Sequence, residues 1–323
     1  MTENSAADVR NVVAVVPTFR PDETLIERLD ALSAQVNTVI VVDDGSPLDS
    51  REILDRVEPA GYQLVRSTQN RGIAAALNTG VRLALERNAD FVLTMDQDSA
   101  LPADYVAACL RAFALADPAT RLGVVCSDRI NGEPSIPERY TAEGLGIVRE
   151  AIQSGFLISA ECLRECGLFD ERLFIDCVDT EFCLRIAERG YSIAVGPGTD
   201  ITHSLGERAP LRPFGVPIRR NGQQASYQYH GPVRRYFIAR NNVDLFLRYL
   251  RLKPRWVVSA LRREIPPALT TIIAGPQRTR QFLATVIGAT HGLVRKRGPL
   301  SPGLRGLLTP KRHPRQATQG RSN

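Results

Sequence analysis

No stretch of this 323-residue chain reaches the roughly 18 uninterrupted apolar residues that a membrane-spanning helix needs. The opening Met1–Arg10 is polar and lacks an apolar core, so it does not read as a secretory leader. The six cysteines (Cys109, Cys126, Cys162, Cys166, Cys177 and Cys183) form no paired Cys-x-x-Cys framework. That counts against structural zinc and points to free thiols in a reducing cytosol. No helix-turn-helix, zinc finger or aromatic RNA-binding motif is present, so nucleic acid is not an expected partner. Acids are nearly missing from the rear: from Arg208 onward only Asp244 and Glu264 stand against 23 Lys and Arg. The first 207 residues carry the opposite balance, 33 Asp and Glu to 18 Lys and Arg. An acidic front suits a cation, and a basic rear suits an anionic partner such as a diphosphate or a phospholipid surface.

What is present reads as alternating strands and helices. Asn11–Val16, Val36–Val42, Gln63–Arg66, Phe91–Met95, Leu122–Cys126 and Ser192–Val195 are short apolar, β-branched runs, as expected of strands buried on both faces. Helical spacing over Asp22–Leu32, Ile73–Asn88, Asp104–Leu115, Ser159–Cys166 and Asp179–Arg189 separates them; Gln153-Ser154-Gly155-Phe156 reads as extended. This order predicts right-handed βαβ units and a mainly parallel, Rossmann-like sheet with flanking helices. In such sheets ligands sit outside the carboxyl ends of the strands. Here those ends read Pro17-Thr18-Phe19, Asp43-Asp44-Gly45-Ser46, Asn70-Arg71-Gly72 and Asp96-Gln97-Asp98. The two carboxylates of Asp96 and Asp98 stand at i and i+2 and point the same way on extended backbone, which fits either a turn or a metal site.

The ordered set of these motifs, with Asn78-Thr79-Gly80 between them, resembles the family 2 glycosyltransferases of the GT-A fold. Phe174-Ile-Asp-Cys-Val-Asp-Thr-Glu-Phe-Cys-Leu-Arg185 is similar to that family's acidic helix-start motif. His203-Ser-Leu-Gly206 and Arg235-Tyr-Phe-x-x-Arg240-Asn241-Asn242 resemble its bacterial rhamnosyltransferase branch, over about residues 11 to 250. Val178-Asp179 stands where many relatives have Glu-Asp. The resemblance implies an inverting transfer with Asp179 as the base that takes the acceptor's proton; Asp176 and Glu181 stand as alternatives. It implies a divalent cation, Mg²⁺ or Mn²⁺, on Asp96 and Asp98, with His203 completing the shell, touching the diphosphate or merely capping. Pro17, Thr18, Phe19, Asp43, Asp44, Gly45, Asn70, Arg71, Gly72, Asp96 and Gln97 would hold the donor nucleotide, with Asp43 on the base; Asp44-Gly45-Ser46 also suits a simple turn and helix cap. Ser154, Gly155, Asp176, Glu181, Arg235 and Arg240 would face the acceptor or the diphosphate, unless the arginines are one solvated helix face.

The resulting expectation is a flexible segment 1–10, a GT-A catalytic domain 11–207, a basic helical region 208–295 and a disordered basic tail 296–323. The donor would be dTDP-rhamnose, or UDP-linked galactofuranose or a hexose. The acceptor would be a polyprenyl-diphosphate-linked glycan at the cytoplasmic face of the membrane. Trp256–Leu261 and Phe282–Gly288 would lie on the anionic leaflet as a peripheral anchor; the oligomeric state is open, a homodimer included. A sugar nucleotidyltransferase needs a Gly-rich basic loop after the first strand, and Pro17–Glu23 contains no glycine.

Overall fold

The computed structural model describes residues 10–203, 206, 208–220 and 222–309. Segment 1–9, residues 310–323, and Ser204 and Leu205 of the His203–Gly206 motif lie outside the described residues. The chain divides into two compact units, residues up to 205 with 297–299, and residues 206–296 with those from 300 onward.

The first unit runs β1 (Val12–Thr18), α1 (Leu25–Ser33), β2 (Thr38–Asp43), α2 (Arg51–Leu54), β3 (Gln63–Arg66), α3 (Ile73–Glu86), β4 (Phe91–Thr94) and α4 (Tyr105–Leu115). It continues with β5 (Leu122–Ile130), β6 (Glu133–Pro134), β7 (Arg139–Tyr140), β8 (Gly146–Val148), β9 (Phe156–Ser159), α5 (Ala160–Cys166), α6 (Val178–Glu188) and β10 (Ser192–Ile201). One ten-stranded sheet has the order β3-β2-β1-β4-β9-β5-β10-β8-β7, with β6 on β5. The strands β3-β2-β1-β4 are parallel, as βαβ crossovers require, and β5 and β10 are parallel to each other. Between these two groups β9 runs antiparallel to both β4 and β5.

Every residue of β1 is buried because helices cover both faces. Val13 and Val15 join the core under α3, α5 and α6, with Leu77 and Phe182. Val12, Ala14 and Val16 join the core under α1 and α4, with Leu29 and Tyr105. Alternation along the strand therefore builds a three-layer α/β/α unit. The parallel register sets Thr18 level with Asp43, and Asp43 level with Arg66. Strand ends that are separate in sequence thus meet along one edge.

The four-residue β9 was not expected. Phe156-Leu-Ile-Ser159 runs directly into the helix that Ser159 caps through Cys162 N (3.2 Å), and only Phe156 falls within the stretch read as extended. Asn78-Thr79-Gly80 has a structural task. The Asn78 side chain bonds both the N–H and the carbonyl of Phe169 (2.9 Å each), and a Cβ on Gly80 would stand 2.3 Å from Val15 Cγ1.

The second unit contains β11 (Arg208–Pro210), β12 (Arg219–Arg220), β13 (Gln223–Gln224), β14 (Ser226–Gln228), α7 (Pro232–Tyr249), α8 (Pro254–Ala274), α9 (Arg278–Leu293) and α10 (Pro302–Leu308). Ahead of its helices the region expected to be helical from residue 208 holds four short strands, paired β11 with β14 and β12 with β13. Helices α7 and α9 pack closely because Gly288 and Gly292 lack side chains: a Cβ on either would lie 2.5 Å from a carbonyl of α7, Tyr236 O or Arg240 O. The expectation of disorder from residue 296 gives way at α10, where Pro302 starts a helix and Leu308 is fully buried.

Gly80→Ala tests the α3–β1 contact. Overpacking against the buried Val15 outweighs the roughly 1 kcal/mol gain in helix propensity, so urea unfolding should show a net loss of about 1–2 kcal/mol. An unchanged or raised midpoint would contradict the close approach.

Candidate active site

At the ends of β1 and β2, main-chain and carboxylate hydrogen bonds shape the edge. Asp44 N donates to Thr18 O (2.8 Å), and the Asp44 carboxylate accepts Arg71 N (2.7 Å) and Gly72 N (2.8 Å). Burial raises the Asp44 carboxyl above its ordinary value, Asp43 adds to that, and the two N–H donors pull the other way. Asp44 therefore clamps the 70–72 loop. Asp43 is 4% exposed, and its carboxylate accepts Ser46 N (3.2 and 3.3 Å). Gly45 (φ +71°) and Gly72 (φ +94°) are required, since a Cβ would lie 2.4 Å from Gln69 C and 2.3 Å from Phe174 O respectively. Thr18 is buried and Phe19 is 40% exposed. The buried Asn70 Oδ1 has no hydrogen-bond partner among the described residues. Arg71 reaches Glu171 (3.1 Å), which also binds Arg82 and Asn78.

Past β4 the chain turns through Asp96-Gln97-Asp98. The Gln97 amide bonds both Phe19 N (2.9 Å) and Phe19 O (3.1 Å), tying this turn to the β1 exit. An antiparallel bridge between Ala100 and Thr202 brings the end of β10 alongside. Asn131 then holds His203 at both backbone groups, accepting from His203 N (3.0 Å) and donating to His203 O (2.8 Å). Ligand atoms of Asp96, Asp98 and His203 all fall within 4.8 Å of one another, half-buried. Two carboxylates and one imidazole form a donor set that suits Mg²⁺ or Mn²⁺. A buried relay supports them: Asp96 N donates to Ser154 Oγ (3.1 Å), Ser154 Oγ donates to Ser99 Oγ (2.9 Å), and Ser99 Oγ bonds His203 Nδ1 (2.8 Å). The Gln153 amide donates to Asp96 Oδ1.

The acidic motif enters α6 through a strained turn. Phe174, Asp176 and Cys177 all have positive φ, at 69°, 63° and 61°. Such strain in non-glycine residues persists where surroundings enforce it, commonly at functional sites. Asp179 follows in the first turn of α6 and accepts Thr180 N (2.8 Å). Burial, with the Asp176 and Asp96 carboxylates, pushes the Asp179 carboxyl up to about 6 against the pull of that N–H. Asp179 is thus electrostatically coupled to the candidate metal arm.

The sequence profile described as Glycosyl transferase family 2 matches residues 13–164, which hold β1 to β4 and the Asp96–Asp98 turn. This chain carries a family 2 glycosyltransferase domain. It is 29% identical over 304 residues to the dTDP-rhamnosyl transferase RfbF of Shigella flexneri, across 86% of this chain and 95% of that protein. It is also 29% identical over 255 residues to the galactofuranosyltransferase GlfT1 of Mycobacterium tuberculosis H37Rv, across 72% and 80% of the two chains. The mannosyltransferase PcManGT from Pyrobaculum calidifontis, solved with GDP-Man and Mn²⁺, shares the fold at TM-score 0.52 and 19% identity, over 90% of this chain and 89% of that one.

Several expected site residues of the glycosyltransferase do other work. Ser154 is 1% exposed and sits inside the relay, and the Gly155 carbonyl accepts Tyr105 Oη (2.6 Å), so neither borders an acceptor. Both carboxylate oxygens of Glu181 bind Arg185 (2.9 and 3.0 Å), whose guanidinium also holds the carbonyls of Gly167 and Leu168. Glu181 is therefore an ion-pair partner within the fold and not a free carboxylate at the edge. Arg235 and Arg240 are 4% and 1% exposed, and Arg240 lies 4.8 Å from the Phe237 ring centroid, bonded to Asn241. Their burial is not that of one solvated helix face. Ser99, Asn131 and Gln153 were not anticipated; only Ser99, next to Asp98, carries a positional signal.

A raised carboxyl binds its proton more tightly in the folded state. The stability from that proton is full below the unfolded value of 3.8 and is lost as pH rises through about 6. In metal-free urea unfolding, Asp179→Asn should therefore gain stability relative to wild type between about pH 4 and pH 7, by up to about 3 kcal/mol. Parallel pH profiles for the two proteins would contradict the burial of this charge.

Proposed function

We propose that this glycosyltransferase is an inverting, metal-dependent enzyme that moves L-rhamnose from dTDP-rhamnose to a hydroxyl of a polyprenyl-diphosphate-linked bacterial surface polysaccharide precursor. The observation that carries the reaction type is Asp179, a carboxylate of raised proton affinity coupled to Asp96. The choice of donor is supported by the likeness to RfbF over 95% of that protein.

In this reading the Asp43 carboxylate, already oriented by Ser46 N–H, accepts the ring N–H of thymine. Asn70 Oδ1, which has no partner among the described residues, accepts a donor hydroxyl. Pro17, Thr18 and Phe19 line the nucleotide cleft, held in register by Gln97. Asp96, Asp98 and His203 hold Mg²⁺ or Mn²⁺, which when bound neutralises charge on the donor diphosphate. Asp179 takes the acceptor hydroxyl's proton as that oxygen attacks the anomeric carbon and the nucleoside diphosphate departs, with no covalent enzyme intermediate. Asp176, on the strained turn, faces the acceptor side and keeps the Asp179 carboxyl raised. None of the described helices is long and apolar enough to cross a membrane. The lipid-linked acceptor is then met from the cytoplasmic face.

A donor panel with Mg²⁺ or Mn²⁺, read as released nucleoside diphosphate with and without EDTA, tests the reading. Turnover should be fastest with dTDP-rhamnose, stop with chelator, and fall about 10²–10⁴-fold in Asp179→Asn while donor binding is kept. Faster turnover of UDP-galactofuranose, the donor sugar that the likeness to GlfT1 supports, would reassign the donor. Chelator-insensitive turnover would remove the metal. Full activity in Asp179→Asn would remove the base.

A further inference from the structure

Helix α8 is apolar on two opposite faces. Trp256, Val257, Ala260 and Ala274 are buried on its inner side. Val258, Ile265, Leu269 and Ile273 lie within about 80° of one another on a helix turning 100° per residue, on the side opposite Trp256 and Ala260. They are 47%, 49%, 51% and 42% exposed, where a surface helix ordinarily carries charge. Arg255 and Arg262 are exposed on the same arc, towards its Ile273 side, and two adjoining depressions share Val258 and Arg262. Glu264 is set aside from it and pairs with Arg263 (3.1 Å). At the far end Arg212 N donates to Ala274 O (3.0 Å) and Arg278 binds Arg212 O. This seats the turn Pro213–Gly215 against α8, with Phe214 82% and Val216 66% exposed and Arg212 and Arg219 beside them.

We propose that this face of the second unit lies on an anionic lipid leaflet, with Val258, Ile265, Leu269, Ile273 and Phe214 at the acyl boundary and the flanking arginines at the phosphates. The surface meets the expected stretch Trp256–Leu261 only at Val258, because Trp256, Val257 and Ala260 are spent on the core. Charge selects the occupant. A second copy docked by two-fold symmetry on this face would bring the same acid-free surface and leave Arg255 and Arg262 unanswered, whereas lipid phosphates complement them. The helix lies on the leaflet and does not span it. The inference is independent of the donor and the reaction proposed above.

The test is co-sedimentation of the full chain with vesicles of phosphatidylcholine alone and of phosphatidylcholine with about one third phosphatidylglycerol, with light scattering for oligomeric state. Wild type should partition onto the anionic vesicles only. Ile265→Glu with Leu269→Glu should lower partitioning at least about tenfold, and Arg255→Ala and Arg262→Ala about fivefold each, with loss at high salt. Metal-dependent donor hydrolysis in vesicle-free buffer should not change in the double glutamate variant, which separates this result from failure of the reaction assignment. Equal partitioning of wild type and the double variant, or no binding by wild type, overturns the proposal. A wild-type dimer that the double variant splits assigns the face to a second copy and also overturns it.

Discussion

Asp96 and Asp176 both raise the proton affinity of Asp179, so the carboxyl edge of the sheet holds negative groups close enough to feel one another. Asp98 adds to them, and Asp43 with Asp44 forms a second pair at the β2 end. Left to themselves such groups would push the loops apart or take up protons. The surrounding structure prevents both. The Asp44 carboxylate accepts two backbone donors, that of Asp43 one and that of Asp96 the Gln153 amide, while Ser154 Oγ accepts the Asp96 backbone N–H. Asp96, Asp98 and Asp179 stand where the proposed cation and a transferable proton would offset their charge.

The parallel register of β1, β2 and β4 made much of this edge legible beforehand. Strand ends rich in Asp, Asn and Gly announce themselves through composition, and parallel pairing sends them to one side. Individual duties were less visible. Asp44 and Asp43 look alike in sequence, and only the fold shows that one clamps a loop while the other is turned to Ser46. Glu181 looked available because its partner, Arg185, lies one helical turn on; spacing alone does not say that the pair also latches the 167–168 carbonyls. Arg235 and Arg240 read as groups for the acceptor or diphosphate or as one solvated face, yet both are buried, Arg240 beside the Tyr236 and Phe237 rings of its own helix. The Ser99–Ser154 relay joins residues 55 apart and has no local signature. Likewise β9 is hard to see because its apolar run passes straight into α5 with no loop to separate strand from helix.

The two units divide the labour by charge. The first concentrates acids around the candidate nucleotide and cation site on a GT-A sheet. The second is a small basic helical unit whose helices pack through glycines and whose α8 turns apolar side chains outward. Functional features concentrate where local rules are broken: positive φ at Phe174, Asp176 and Cys177, a raised carboxyl at Asp179, and an apolar outer face on α8.

The claim on which the account turns is that Asp96, Asp98 and His203, drawn from distant parts of the chain, form one cation site. Electron paramagnetic resonance of Mn²⁺ titrated into the protein with dTDP measures it directly. The account predicts one bound Mn²⁺ per chain, weakened at least about tenfold by Asp98→Ala and by Ser99→Ala, whose hydroxyl holds His203. Binding that is absent in wild type, or unchanged in both variants, would contradict it.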